Sequence, residues 1–313
     1  MSPNRKKPPL LLTLSFLLLF LAGRSQQQIP ISKAAFKTMR LQGSADFLAA
    51  DGDDVWVVNI DRVERLSIKS DIPLFTVRVP DACGALVVGF QSVWVASCRE
   101  RSVYRIDHIT GKVQAIIPCG VSDANGEISL AAGDSSIWIL SDSAGILTRI
   151  DPRTNRVQAT IRVMPGSYCA AYGYHAIWIT NTLAGSVQRI DPLTNSVVAT
   201  IKAGGTPRFL AVGEKGVWVL NQQDGTVSRI DPMSNKEIAV INTQVQGTGG
   251  DIAAGNGYVW VRAKGRLLQK INPFSNTIET MYYPAAGSGA VRTTDRFIWV
   301  TAHDKQTIWV LKK

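Results

Sequence analysis

Five positions, each about ten residues ahead of a tryptophan, carry side chains able to hold a charged ligand: Asp46, Glu127, Tyr168, Arg208 and Asp251. A second set, a few residues beyond a tryptophan, adds Arg99, Asp142, Asn181, Asn221, Lys264 and His303. Acids, bases and an aromatic at positions that change from one recurrence to the next are what recognition of an asymmetric ligand requires. Charges that face a cavity must be paired or bind something, which makes Glu127, Arg208 and Asp251 the core of the candidate site. Catalysis fits these residues less well. Of the three histidines, His108, His175 and His303, only His303 shares the phase of this group. No Ser-His-Asp arrangement and no HExxH motif can be assembled from them. There is no CxxC pair and no histidine at ligand spacing from a cysteine, so no metal site is expected.

The elements that must position these groups are set by a repeat. Seven of the eight tryptophans, Trp56, Trp94, Trp138, Trp178, Trp218, Trp260 and Trp299, recur every 38 to 44 residues. Each sits between two Val or Ile residues, as in Val217-Trp218-Val219. A period near 40 residues with strand-like content is the signature of β-propeller blades, and seven copies predict seven blades. The fifth repeat reads as four short strands, 209–212, 217–220, 226–231 and 237–241, separated by turns; four antiparallel strands make one blade. The tryptophans are expected in the core, where a large ring packs between neighbouring sheets.

The turn after the third strand is the most regular motif: Arg149-Ile150-Asp151-Pro152, Arg189-Ile190-Asp191-Pro192, Arg229-Ile230-Asp231-Pro232 and, relaxed, Lys270-Ile271-Asn272-Pro273. Asp or Asn opens such a turn by bonding the backbone two residues on, and Pro presets φ at the next position. Asn155, Asn195, Asn235 and Asn276 stand where a left-handed residue closes it. One copy per blade argues for structure, since a single active site does not need so many. The last blade, 290–292, 297–301 and 307–311, lacks a fourth strand, whereas residues 36–41 have none of their own to join. The N-terminal strand is therefore expected to complete blade seven and leave no unmatched sheet edge at the seam.

Residues 1–25 read as a secretory signal peptide: Arg5, Lys6 and Lys7, then an apolar run over 10–22, then small residues at Gly23 and Ser25. Residues 26–35 read as a polar linker and 36–313 as the propeller. Without that leader the formal charge of +10 falls to +6, and no apolar run long enough to span a membrane remains. The charges alternate in sign with no basic stripe, which disfavours nucleic acid. Export, to the periplasm or the medium, permits disulfides. Folding the hairpin about Phe90-Gln91 sets Val87 opposite Trp94 and Cys83 opposite Cys98, close enough to bridge. Cys119 and Cys169 precede the first strands of blades three and four, and spacing does not decide whether they pair.

In a propeller, loops from a fourth strand to the next first strand share a face with loops from second to third strand. Both candidate sets therefore gather at one mouth of the central channel, with His108 and His175 on the opposite face. The repeat seen over residues 216–235 resembles that of the secreted YVTN-type propeller proteins and of the streptogramin B lyase (virginiamycin B lyase) superfamily of seven-bladed propellers. The resemblance spans nearly all of the chain after the leader, and its motifs are turn and core positions, informative about architecture more than activity. It implies, for the lyases, histidines and a glutamate holding Mg²⁺ at the channel mouth to open a cyclic depsipeptide by elimination. This chain departs from that pattern, with Thr206-Pro207-Arg208 and Gly249-Gly250-Asp251 where the lyases have His-Gly-Pro type segments. The expected protein is a monomeric, non-catalytic propeller without cofactor, binding a small molecule or protein at its mouth. The alternative is a metal-dependent lyase or lactonase with Glu127, Asp251 and His303 around Mg²⁺ or Ca²⁺. A quinone-dependent redox role finds no axial calcium site to support it.

Overall fold

A computed structural model describes residues 26–119, 128–141 and 145–313. The leader expected over 1–25 lies outside the described residues. Seven antiparallel four-stranded sheets follow one another along the chain. In blade five the strands are Pro207–Gly213, Gly216–Asn221, Thr226–Asp231 and Lys236–Asn242, running from the channel outward. Each lies within two residues of the bounds that the repeat predicts. The hairpin joining the first two strands has both central residues left-handed, as at Phe90 and Gln91 (φ 53° and 56°), the geometry that matches strand twist.

Each repeat tryptophan is buried between sheets, six of them completely and Trp260 nearly so. In five blades its indole N–H donates to the backbone carbonyl five residues back, as Trp138 does to Gly133 at 3.0 Å, and in blade one Trp56 donates to the Asp51 carboxylate at 3.1 Å. A side chain on Gly133 would fall 2.0 Å from the ring of Tyr172 in the next blade, so glycine is what lets the sheets approach there. In blade seven the equivalent residue is Thr294, whose carbonyl takes the Asn256 amide instead, and the Trp299 indole N–H finds no acceptor among the described residues.

The Arg-Ile-Asp-Pro turns are the fasteners between blades. Asp191 accepts the amide of Leu193 at 2.9 Å, and Asn155, Asn195, Asn235 and Asn276 all have φ of 53–56°. The arginine two residues before each turn aspartate, at 105, 149, 189 and 229, lies over the tryptophan of its own blade and reaches into the turn of the next. Arg149 stands 4.8 Å from the Trp138 ring and donates to Pro192 O at 2.6 Å and Asn195 Oδ1 at 3.0 Å. Arg105, Arg189 and Arg229 repeat both contacts. The recurrent aspartates are structural, as their recurrence implied.

Strand Ala35–Arg40 pairs antiparallel with Thr307–Lys312, so the N-terminal strand does complete blade seven. The segment ahead of it corrects the linker reading. Gln27–Pro30 adds a fifth, parallel strand to blade six, and the helical turn Ile31–Ala34 leads into blade seven. The polar count over 26–35 hid two apolar anchors, of which Ile31 is buried among Leu267, Leu268 and Tyr282.

Cys83 and Cys98 form the expected disulfide, with Cα atoms 5.9 Å apart. Val87 faces Trp94 as expected, but the cysteines are not in direct register: the ladder slips over residues 83–85 opposite Ala96. Gly84 has φ +76° there and a Cβ would strike the Ile128 backbone, so the position needs glycine, and Ala85 N bonds Ile128 O of the next blade. Cys119 and Cys169 are not bonded to each other. Among the described residues no helix is long and apolar enough to cross a membrane.

Candidate functional site

The seven innermost strands line the central channel, and their register fixes which residues share a level. Opposite the tryptophans stand Ala49, Val87, Ala131, Ala171, Ala211, Ala253 and Arg292. Two residues nearer the expected mouth the channel narrows. Phe47 of blade one meets Phe209 of blade five across the axis, with ring centroids 6.3 Å apart, and Tyr168 sets its ring edge-on to Phe209 at 5.6 Å. All three are buried. The channel is thus floored by aromatic rings just below the mouth, and a cavity of about 310 Å³ lies along the inner strands. Phe47 was not legible as part of the site, because its partner lies across the channel and 162 positions on in the sequence.

On one side of this floor Arg208 lies over Tyr168, its guanidinium carbon 4.0 Å from the ring centroid, and Nη2 donates to the Tyr168 hydroxyl. On the other side stands Asp46, next to Phe47, with its Oδ1 3.7 Å from His303 Nε2. His303 Nδ1 in turn lies 3.4 Å from the Ser44 hydroxyl. Burial and the neighbouring Asp251 push the Asp46 carboxyl up to about 6, against the pull of Arg262.

Asp251 takes a different part from the one its position suggested. It is buried, accepts the amides of Ile252 at 2.9 Å and Val291 at 3.1 Å, and pairs with Arg292 of blade seven. Burial raises its pKa although Arg292 and both amides oppose this. Asn181 and Asn221 are fully buried, their amides taken up by the fold. The Asn181 amide ties the carbonyls of Met164 and Pro165, and that of Asn221 ties Thr226 and Ser228. Arg99 faces solvent 3.8 Å from Asp61, and Lys264 is exposed. Glu127 and Asp142 lie outside the described residues. His108 bonds Asp51 at 2.9 Å on the far face, where His175 occupies a hairpin turn. Among the described residues no three His, Cys, Asp or Glu side chains gather as a metal site would need.

Reading the repeat alone misses Arg262. It is fully buried in the second strand of blade six and donates to the carbonyls of Thr301 at 3.1 Å, Ala263 at 2.8 Å and Gly287. Burial draws its pKa down to about 10 although Asp304, Asp46 and Asp251 all oppose this. The signal was present: the second residue after the tryptophan is Val, Ala, Leu or Thr in the other six blades.

The Asp46 shift carries a pH dependence. A carboxyl that binds its proton more tightly in the folded state contributes full stability below the unfolded value of 3.8, and loses it as pH rises through about 6. Asp46→Asn, which resembles the protonated form, is therefore expected to melt above the wild type at pH 7.5 and level with it near pH 4. Parallel melts across that range check this, and a difference that does not vary with pH would refute it.

No protein-family model matches the chain, and no curated protein matches its sequence. Solved structures do. A streptogramin B lyase superposes with a TM-score of 0.73 at 17% identity over 88% of this chain and 96% of that one. The virginiamycin B lyase from Staphylococcus aureus gives 0.73 at 15% over 88% and 98%. BamB from Moraxella catarrhalis gives 0.64 at 12% over 89% and 97%. At such identities the likeness is one of architecture. The chain shares the seven-bladed β-propeller fold of the streptogramin B lyases.

Proposed function

We propose that this protein is an exported, non-catalytic binding propeller that holds a ligand or a protein segment on its channel-mouth face. One observation carries the reading: groups of opposite charge flank a closed aromatic floor. Phe47 and Phe209 touch, and the residues beside them in sequence are Asp46 and Arg208. A partner rests on this floor instead of threading the channel, with a cationic group toward Asp46 and an anionic group toward Arg208. The fold supports a binding role without specifying it, since the structures it resembles include lyases and BamB alike.

The lyase or lactonase alternative rests on the same structural likeness. Its donor set does not assemble among the described residues, because Asp251 is already held by Arg292 and two backbone amides. The test is a thermal-shift and calorimetric panel of zwitterionic peptides and lactones, run in EDTA and then in Mg²⁺ or Ca²⁺. A ligand found in EDTA should bind at least tenfold more weakly to an Asp46→Asn/Arg208→Ala double variant. Unchanged affinity in that variant overturns the choice of face. Lactone opening that depends on the metal overturns the non-catalytic reading.

A further inference from the structure

We propose that the channel interior is a second binding site, taking a small monocarboxylate with an apolar body whose carboxylate is held by Arg292. The register of the blades carries this. Of seven equivalent positions facing the axis opposite the tryptophans, six hold alanine or valine and the seventh holds Arg292. Packing gives no reason for a guanidinium there, since a methyl serves at five of the other six positions. A charge facing a cavity must be paired or bind something, and Asp251 pairs only one corner of this one.

The pairing with Asp251 uses one corner of the guanidinium. Arg292 Nη1 donates to Asp251 and to Val291 O at 2.6 Å. Its Nε and Nη2 groups have no acceptor among the described residues. The side chain keeps 27% of its surface exposed, and it lines the cavity. The free edge is the planar two-donor fork that a carboxylate fits in a bidentate manner.

The space has the matching size and character. A cavity of about 310 Å³, at about 30 Å³ per water-sized unit, holds about ten heavy atoms, the number in octanoate. Its walls are mostly alanine, valine, leucine and isoleucine, joined by Ser129, Cys169 and Thr293, with Asp251 beside Arg292 and the Phe47 and Phe209 rings at one end. Entry is from the opposite face. There the residue just before each hairpin, including Tyr172 and Thr293, is half-buried, whereas Phe47, Tyr168 and Phe209 are buried.

Calorimetry on the protein without its leader tests the site, with octanoate, octanol, octylamine and acetate as probes. Octanoate is expected to bind at least tenfold more tightly than octanol, with acetate and octylamine weaker than both. An Arg292→Gln/Asp251→Asn variant, which keeps the pair neutral, should lose that tenfold preference while octanol binding stays. Ala211→Leu fills the cavity on the far wall and should weaken octanoate and octanol alike; it carries the test if the double variant fails to fold. The Asp46→Asn/Arg208→Ala variant should bind octanoate normally, which separates this site from the mouth. Octanoate binding no better than octanol, or unchanged by Ala211→Leu, overturns the proposal.

Discussion

Deleting residues 26–40 is expected to unfold the propeller as a whole, not to fray one blade. The segment crosses three blades. Gln27–Pro30 extends blade six, Ala35–Arg40 supplies the outer strand of blade seven, and Lys37 donates to Ile68 O at 3.0 Å and Ser70 O at 2.7 Å in blade one. Ile31 and Met39 are buried and Phe36 stacks on Phe297 at 5.9 Å. Burying an aliphatic side chain of this size contributes about 1.5–3 kcal/mol, and the strand Thr307–Lys312 would be left with an unpaired edge. A loss of about 5 kcal/mol is comparable to the whole stability of many domains and lowers the melting temperature by about 10–20 °C. Removing 26–34 alone should cost roughly half of that, because blade seven keeps its fourth strand. Thermal melts of both truncations, with a synthetic peptide of residues 26–41 added back to the longer one, check the closure. An unchanged midpoint in the longer truncation refutes it.

The architecture was legible because it is written in local chemistry. A tryptophan every 40 residues or so, an Asp-Pro turn with a left-handed Asn, and a blade one strand short are each visible in a few consecutive residues. The disulfide followed from counting along one hairpin, and even there the count missed the bulge at Gly84, which answers to Ile128 in another blade. Residues 26–35 were misread for a related reason. Their composition is polar, but one isoleucine at the right point, Ile31, finds a pocket between blades six and seven.

The candidate site was legible in part. Phase relative to tryptophan groups Asp46, Tyr168, Arg208 and His303, and the structure sets Asp46 beside His303 and Arg208 over Tyr168. It gives no side-chain direction at a strand end, and there Asn181 braces the loop before its blade and Asn221 ties the third strand of its own. It also does not show that Phe47 and Phe209 close the channel, since that contact joins blades one and five. Arg262 and Arg292 break the repeat at apolar levels, and such departures from a repeat carry more information than the repeat itself once the blades are aligned.

Replacing Arg262 by methionine is expected to be the most damaging single change in the chain. The side chain is fully buried, and its guanidinium supplies donors to Thr301 O, Ala263 O and Gly287 O, joining the second strand of blade six to blade seven and the loop before it. Asp46, Asp251 and Asp304 all act on it. Its loss leaves carbonyls without donors and carboxylates without their cation, the situation in which breaking a buried charged network costs about 3–5 kcal/mol, or about 10 °C in the midpoint for a domain of this size. The effect should depend on pH in a definite sense. Arg262 holds the Asp46 pKa down, so removing it raises that pKa further. The destabilisation should then be greatest above pH 6, where Asp46 must ionise, and smaller near pH 4, where it is already protonated. Adding Asp46→Asn to Arg262→Met should recover part of the loss at pH 7.5, since the two residues belong to one network and their effects are not additive. A methionine variant that melts with the wild type at pH 7.5 would show that the three carbonyls find other donors. A double variant no more stable than Arg262→Met alone would show that Asp46 is not part of the network.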